Sequence, residues 1–383
     1  QALVGNGNAQ TPKSAGSGDI GDGYAAYALL EELGFAFLHP LEPHLPAALP
    51  AAWPTVERSE SPRWPVRGIH LHTMHPLELT NLLNGWGQSP EDEAGFRAML
   101  PEWELTAEWL IANRQNRVQW VLLWAQSWAD FADSPERIAR LSTLVDIAHG
   151  YALSVGVDVP IALQQQHAFR LLREQGELAD ELAEIRSRID YVMQAGFDYL
   201  ATENGTSEFT HADADRTLAW MNEFAIHLDE AYGAESSIKV HASQGQTLDG
   251  YQDPDTGEAL NVNFLPHYAD TRLGILPHTV QHYSLDDPAP TYGNQSFDFM
   301  RDYIRQQAGT RQTIWYPETA YWVSFDVDVP LFLPVYAHRR LHDLRLLAAD
   351  EDAGLMGRGN KAGSRMDGQM IFSSGWEWGY WLN

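Results

Sequence analysis

The chain has 383 residues, 44% of them hydrophobic, with 52 acidic against 25 basic residues and a net charge of −27. That length and apolar content support one large domain with a full core and a smaller one beside it. The charge excludes nucleic acid and anionic membrane surfaces as partners, the absence of cysteine excludes disulfides and thiolate chemistry, and no run approaches the roughly 20 apolar residues of a membrane span.

Residues 1–60 read as a partial α+β domain and linker. The chain opens without Met in what reads as the middle of a domain, so a truncated start is expected and no signal peptide is visible. Leu3-Val4 predicts a short strand, and a Gly/Ser-rich stretch follows at 14–23. Residues 22–33 (DGYAAYALLEEL) predict an amphipathic helix that stops at Gly34, and 35–38 (FAFL) a second strand. The proline-rich segment 40–65 reads as a linker.

From residue 61 to 383 the pattern is that of a (β/α)8 TIM barrel. Eight apolar stretches recur, most ending in polar or ionisable groups: 66–75 (VRGIHLHTMH), 118–124 (VQWVLLW), 157–164 (VDVPIALQ), 197–203 (FDYLATE), 238–241 (IKVH), 278–287 (HTVQHYSLDD), 313–318 (TIWYPE) and 370–377 (MIFSSGWE). Helical patterns separate most of them. Ser134-Pro135-Glu136 is an N-cap with Pro at the first helical position. Further helices are expected at 178–194, at 212–232 with Gly233 as the stop, at 296–307 and at 333–349. A last helix after the eighth strand is expected and missing. Between His241 and His278 no helix is predicted, only a loop over 244–277 read as an active-site insertion, in which Asp253-Pro254-Asp255-Thr256-Gly257 reads as a turn.

Barrel enzymes carry their chemistry at the C-terminal strand ends. Carboxylates stand there: Glu203 on strand four with Glu208 beyond it, Asp286 and Asp287 after strand six, Glu318 after strand seven and Glu377 after strand eight. Cleaving a glycosidic bond needs one carboxyl to protonate the leaving oxygen and a second, ionised, to attack the anomeric carbon or activate water. Glu203 is expected as the acid and Glu318 as base or nucleophile, with Asp287 or Asp286 sharing that work. Strand-end aromatics (Trp124, Trp315, Trp376) suit sugar stacking. Arg67, His70, His72, Gln164, Asn204, His241, His282, Tyr283 and Glu377 are expected to line a polar substrate site. The histidines leave a second reading open, a zinc hydrolase built on His70, His72, His241 and His278. A third is a non-catalytic carbohydrate-binding barrel.

Two segments carry a resemblance. Residues 22–35 (DGYAAYALLEELGF), completed by Phe37-Leu38-His39-Pro40, look like the helix–strand end of the small N-terminal domain of bacterial α-glucuronidases and β-hexosaminidases. Pro65-Val66-Arg67-Gly68-Ile69-His70 looks like the Arg-Gly strand that opens their barrel. The hexosaminidases use an adjacent Asp-Glu pair after strand four, where this chain has Thr202-Glu203. The α-glucuronidases resemble it better, and that likeness implies a Glu acid after strand four (Glu203) and bases after strands six and seven (Asp287 or Asp286, Glu318). It implies a carbohydrate substrate, no cofactor and no metal, and a secreted or periplasmic location in polysaccharide degradation. Substrate identity, stereochemical outcome and oligomeric state are not legible in the sequence.

Overall fold

In the computed structural model of the protein, the residues described are 2–7, 11–15, 18–54, 58–74, 79–162, 167–203, 213–280, 283–287, 295–318 and 334–373. A small antiparallel sheet comes first, with β1 (Ala2–Gly7) between β2 (Thr11–Ala15) and β3 (Arg58–Glu60). The helix α1 (Asp19–Glu32) packs on it. The strand expected at 35–38 is no more than a single bridge, Ala36 to His44. The sheet instead takes β2 from residues 11–15, which only reach into the Gly/Ser-rich stretch, and β3 from the proline-rich linker.

The second unit is the expected barrel. In chain order its strands are β4 (Val66–Leu71), β5 (Arg117–Val121), β6 (Ser154–Asp158), β7 (Tyr199–Thr202), β8 (Glu235–Val240), β11 (Leu273–Pro277), β12 (Ile314–Trp315) and β13 (Gly368–Ser373). They pair in parallel in the order β11-β8-β7-β6-β5-β4-β13-β12. A parallel bridge from Ile275 to Thr313 closes the ring between β11 and β12. Helices α3 (Glu93–Ala112), α5 (Pro135–Gly150), α6 (Leu178–Met193), α7 (Ala214–Tyr232), α8 (Asp298–Gln307) and α9 (Pro334–Asp352) lie between strands. Two single-turn helices, α2 (Thr80–Leu83) and α4 (Ala129–Ala132), precede α3 and α5. Among the described residues no helix is long and apolar enough to cross a membrane.

Capping explains where the helices start. Ser134 Oγ accepts from the Arg137 N–H at 3.2 Å, with Pro135 first in α5. Asp213 Oδ1 accepts from the Arg216 N–H at 2.8 Å at the head of α7, and Gly233, at φ 61°, closes that helix. Removing the α7 cap with Asp213→Ala should lower stability by about 1 kcal/mol, read as a shift in the urea midpoint.

Strand six differs from expectation. It is the short apolar run β11, which ends where the predicted strand began, so residues 278–287 lie beyond its C-terminal end. The expected loop holds a hairpin, β9 (Thr247–Gln252) with β10 (Ala259–Asn261), followed by a 3-10 turn at Val262–Tyr268. The Asp253 segment is the hairpin's turn, with Asp253 Oδ1 accepting from the N–H groups of Asp255 and Thr256, both at 2.9 Å.

Strand alternation divides the barrel's side chains. Val118, Trp120, Val155, Val157, Leu200, Ile238 and Val240 face outward and join the helices in the main core. There Trp103 of α3 meets Trp120 edge-on at 5.8 Å and donates from Nε1 to the Leu144 carbonyl. Ala201, Leu276, Ile314, Tyr316, Met370 and Phe372 form a separate inner cluster within the bore. The odd-numbered residues of β5 and the even-numbered ones of β6 therefore point inward. Nearest the N-terminal end of the bore, the Arg117 guanidinium stacks 3.5 Å from the Tyr199 ring, and Tyr199 donates to the Val118 carbonyl at 2.9 Å.

Candidate active site

The C-terminal half of the bore has a polar floor on this packed base. His70 from β4, Gln119 from β5, Asp158 from β6 and Tyr316 just past β12 are all buried. Gln119 Nε2 donates to His70 Nδ1 at 2.9 Å, and more weakly to the Tyr316 hydroxyl at 3.4 Å. His70 therefore carries its proton on Nε2 and donates it to His72 Nδ1 at 3.1 Å. His278 donates from Nδ1 to the Tyr316 carbonyl at 3.0 Å. Burial, with the Lys239 ammonium nearby, holds both His70 and His278 well below the usual histidine range, so both are neutral.

Phe372 is the hub of this layer. Its ring centroid lies 5.0 Å from His70, 4.4 Å from His72, 5.3 Å from His278 and 5.6 Å from Tyr316, and the Lys239 ammonium sits 5.2 Å above it. The histidine rings are thus directed onto an aromatic surface and one another. His241 accepts from the Ser243 N–H at Nδ1 and lies 5.8 Å from His278, ring to ring. Among the described residues no three His, Asp or Glu side chains converge as a metal site, so the zinc arrangement of His70, His72, His241 and His278 is not assembled there.

The acidic groups stand above and beside this floor. Glu203 directly follows β7, and its Oε1 is 3.5 Å from Lys239 Nζ of β8, with both side chains mostly buried. Glu318 extends strand seven past β12: its N–H donates to the Thr279 carbonyl at 3.2 Å, it bridges to Phe372, and it is 1% exposed. Asp158 ends β6, is 4% exposed, and its Oδ1 has no hydrogen-bond partner among the described residues. Burial chiefly, and Glu203 next, push the Asp158 carboxyl up to about 7, against an opposing pull from Lys239.

Of the other expected site residues, those described have partners of their own. Asp287 is gripped by Arg339 of α9, which donates to both its oxygens at 2.7 Å, and Asp286 pairs with His342 at 2.9 Å. These acids fasten the loop after β11 to a helix, because strand six ends earlier than expected. Arg67 stands at the opposite, N-terminal end of the bore. It donates to the carbonyls of Arg114, Trp64 and Pro65 and to the Tyr24 hydroxyl, which ties α1 to the barrel. Trp315 is fully buried on the helix side of β12, within the main core, and offers no face to a sugar. Trp124, past β5, is partly buried with the Arg173 guanidinium 5.0 Å over its ring. Tyr283 packs near Phe297 at 6.1 Å, and its carbonyl accepts from Arg340. Gln164, Asn204, Glu208, His282, Trp376 and Glu377 lie outside the described residues.

Sequence reasoning missed Asp158, Lys239, Gln119, Tyr316 and Phe372 as site members. Asp158 and Lys239 had a signal, since each is a charged residue inside an otherwise apolar strand run. The arrangement offers two strand-end carboxylates, a third carboxyl that holds a proton near neutrality, and one ammonium.

No protein-family model matches the chain, and no curated protein matches it. Solved structures do. The protein CpGH84B matches with a TM-score of 0.54 at 10% identity, over 97% of this chain and 53% of that one, so this chain spans about half its length. A protein described as a GH138 enzyme targeting pectin rhamnogalacturonan II matches at 0.49 and 10% identity over 82% of this chain and 36% of that one. PbGH5A, a glycoside hydrolase family 5 enzyme from Prevotella bryantii B14, matches at 0.46 and 11% identity over 80% and 88%. At this identity the likeness to CpGH84B shows a shared fold: the chain is a (β/α)8 barrel with a small α+β unit before it.

Proposed function

We propose that the protein is a glycoside hydrolase that works by carboxylate acid/base chemistry at the C-terminal face of the barrel. The observation that carries this is the inward pair Glu203 and Glu318, at the ends of the fourth and seventh barrel strands, over a floor of neutral histidines and aromatic rings. Glu203 protonates the leaving oxygen and Glu318 is base or nucleophile, the division of labour that glycosidic cleavage requires. This reading leaves Asp286 and Asp287 out of that division of labour, since His342 and Arg339 of α9 pair with them.

Within the class, an α-glucuronidase-like activity on uronic-acid-bearing oligosaccharides is the finer proposal. It rests on the resemblance at residues 22–40 and 65–70. A polysaccharide substrate accords with a secreted or periplasmic protein. The test is a panel of aryl glycosides and oligosaccharides, glucuronides among them, with products resolved by chromatography. Release of a sugar identifies the class, and hydrolysis of glucuronides ahead of neutral sugars supports the finer proposal. No turnover on any member removes the hydrolase reading.

A further inference from the structure

Asp158, Glu203 and Lys239 come from three successive barrel strands and share the inner face. Asp158 pairs in register with Ala201, and the Glu203 carbonyl accepts from the Ile161 N–H, so Glu203 stands one step above Asp158 on the neighbouring strand. Lys239 closes the group from β8 at 3.5 Å from Glu203. With both acids ionised, the buried group carries one net negative charge. With one proton added it is neutral, and a buried site favours the neutral arrangement. Asp158 is where that proton sits most easily, since its Oδ1 is buried and, among the described residues, has no donor to stabilise a charge. Among the described residues the neighbouring inward groups are turned to other partners: Gln119 on β5 directs its amide N–H to His70 and Tyr316, and its Oε1 has no partner there. His70 on β4 is neutral, and the Tyr316 phenol past β12, pushed well above its usual range by burial and then by Asp158, brings no charge of its own.

We propose that Asp158 and Glu203 share a single proton counterbalanced by Lys239, so that Asp158 and Lys239 are positioning residues that keep Glu203 supplied with the proton it donates. The inference rests on the glycosidase reading for its consequence in catalysis, and on the register, burial and charge of these three groups for the shared proton. The proton leaves the carboxyl pair for the glycosidic oxygen as the bond from that oxygen to the anomeric carbon breaks and a new one forms to Glu318 or to water, and the proton given up by the water that completes hydrolysis restores the pair.

Two measurements test it separately. The first is a carbon NMR titration of the whole chain with carboxyl-labelled aspartate. One Asp carboxyl should titrate with a midpoint at about 7, vanish in Asp158→Asn, and move to higher pH in Lys239→Met, because the ammonium that opposed protonation is gone. If no carboxyl in the neutral range disappears in Asp158→Asn, the proposal fails whatever the enzyme does. The second is the pH profile of kcat/KM on a substrate found by the panel. An alkaline limb at the same midpoint should move toward acid in Asp158→Asn, where the one remaining carboxyl faces the ammonium, and toward base in Lys239→Met. Opposite displacements are not produced by loosened packing, and limbs that stay put in both variants overturn the catalytic part. A correct titration without turnover on any sugar leaves the shared proton standing and removes the glycosidase reading instead.

Discussion

Glu203→Gln should lower kcat on an unactivated glycoside by about 10²–10⁴-fold, the contribution of a positioned general acid. The loss should depend on the leaving group. A dinitrophenyl glycoside departs without protonation, so the same variant should keep most of the wild-type rate of bond cleavage on it. Glu318→Gln has no such escape, since a base or nucleophile is needed whatever leaves, and its loss should be large on both substrates. Proton NMR of the first-formed sugar then reads the anomer and decides retention or inversion. Equal losses for Glu203→Gln on both substrates would remove Glu203 from the acid's role, and wild-type turnover in either variant would remove that residue from the chemistry. Glu203→Gln leaves the barrel intact, because the amide keeps a carbonyl oxygen for Lys239 at the same position.

The barrel itself was legible because seven of its strands carry a recognisable apolar run and because capping residues such as Ser134 and Asp213 announce their helices. Strand six escaped for a physical reason. β11 is a five-residue strand buried along its whole length, and such a strand shows no alternation and no polar end. The segment after it, with two histidines and two aspartates, looked more like a functional strand end. That displacement put Asp286 and Asp287 at the mouth of the barrel, while α9 holds them in ion pairs. Side-chain direction was the other obstacle. A strand-end tryptophan serves a site only on the inward parity, and Trp315 lies between inward Ile314 and Tyr316. Arg67 and Asp158 show the same limit lengthwise. An arginine that opens a strand sits at the far end of the bore from the chemistry, and running strand three on to Gln164 hid the aspartate that ends β6.

The base of the bore should be as sensitive as its mouth, through packing instead of chemistry. Gly156 faces inward on β6, and a Cβ added there would press into Cε2 of the Tyr199 ring and stand 2.5 Å from its Cζ, far inside van der Waals contact. The ring has little freedom to move aside, with its hydroxyl bonded to the Val118 carbonyl and the Arg117 guanidinium stacked on its face. Arg117 in turn is held by Glu235 at 2.7 Å. Gly156→Ala should therefore cost about 3 kcal/mol, the upper part of the range for overpacking a core, and lower the thermal midpoint accordingly. The clash is with ring carbons, so Tyr199→Phe should not relieve it, whereas Tyr199→Leu should recover part of the loss although it is itself destabilising in the Gly156 background. A double-mutant cycle measures that coupling. Additive losses for Gly156→Ala and Tyr199→Leu would mean the two positions do not compete for the same space. Because Tyr199 and Asp158 lie directly beneath Glu203, a displaced ring should also disturb the carboxyl cluster, and Gly156→Ala should lower kcat even at temperatures where the protein remains folded.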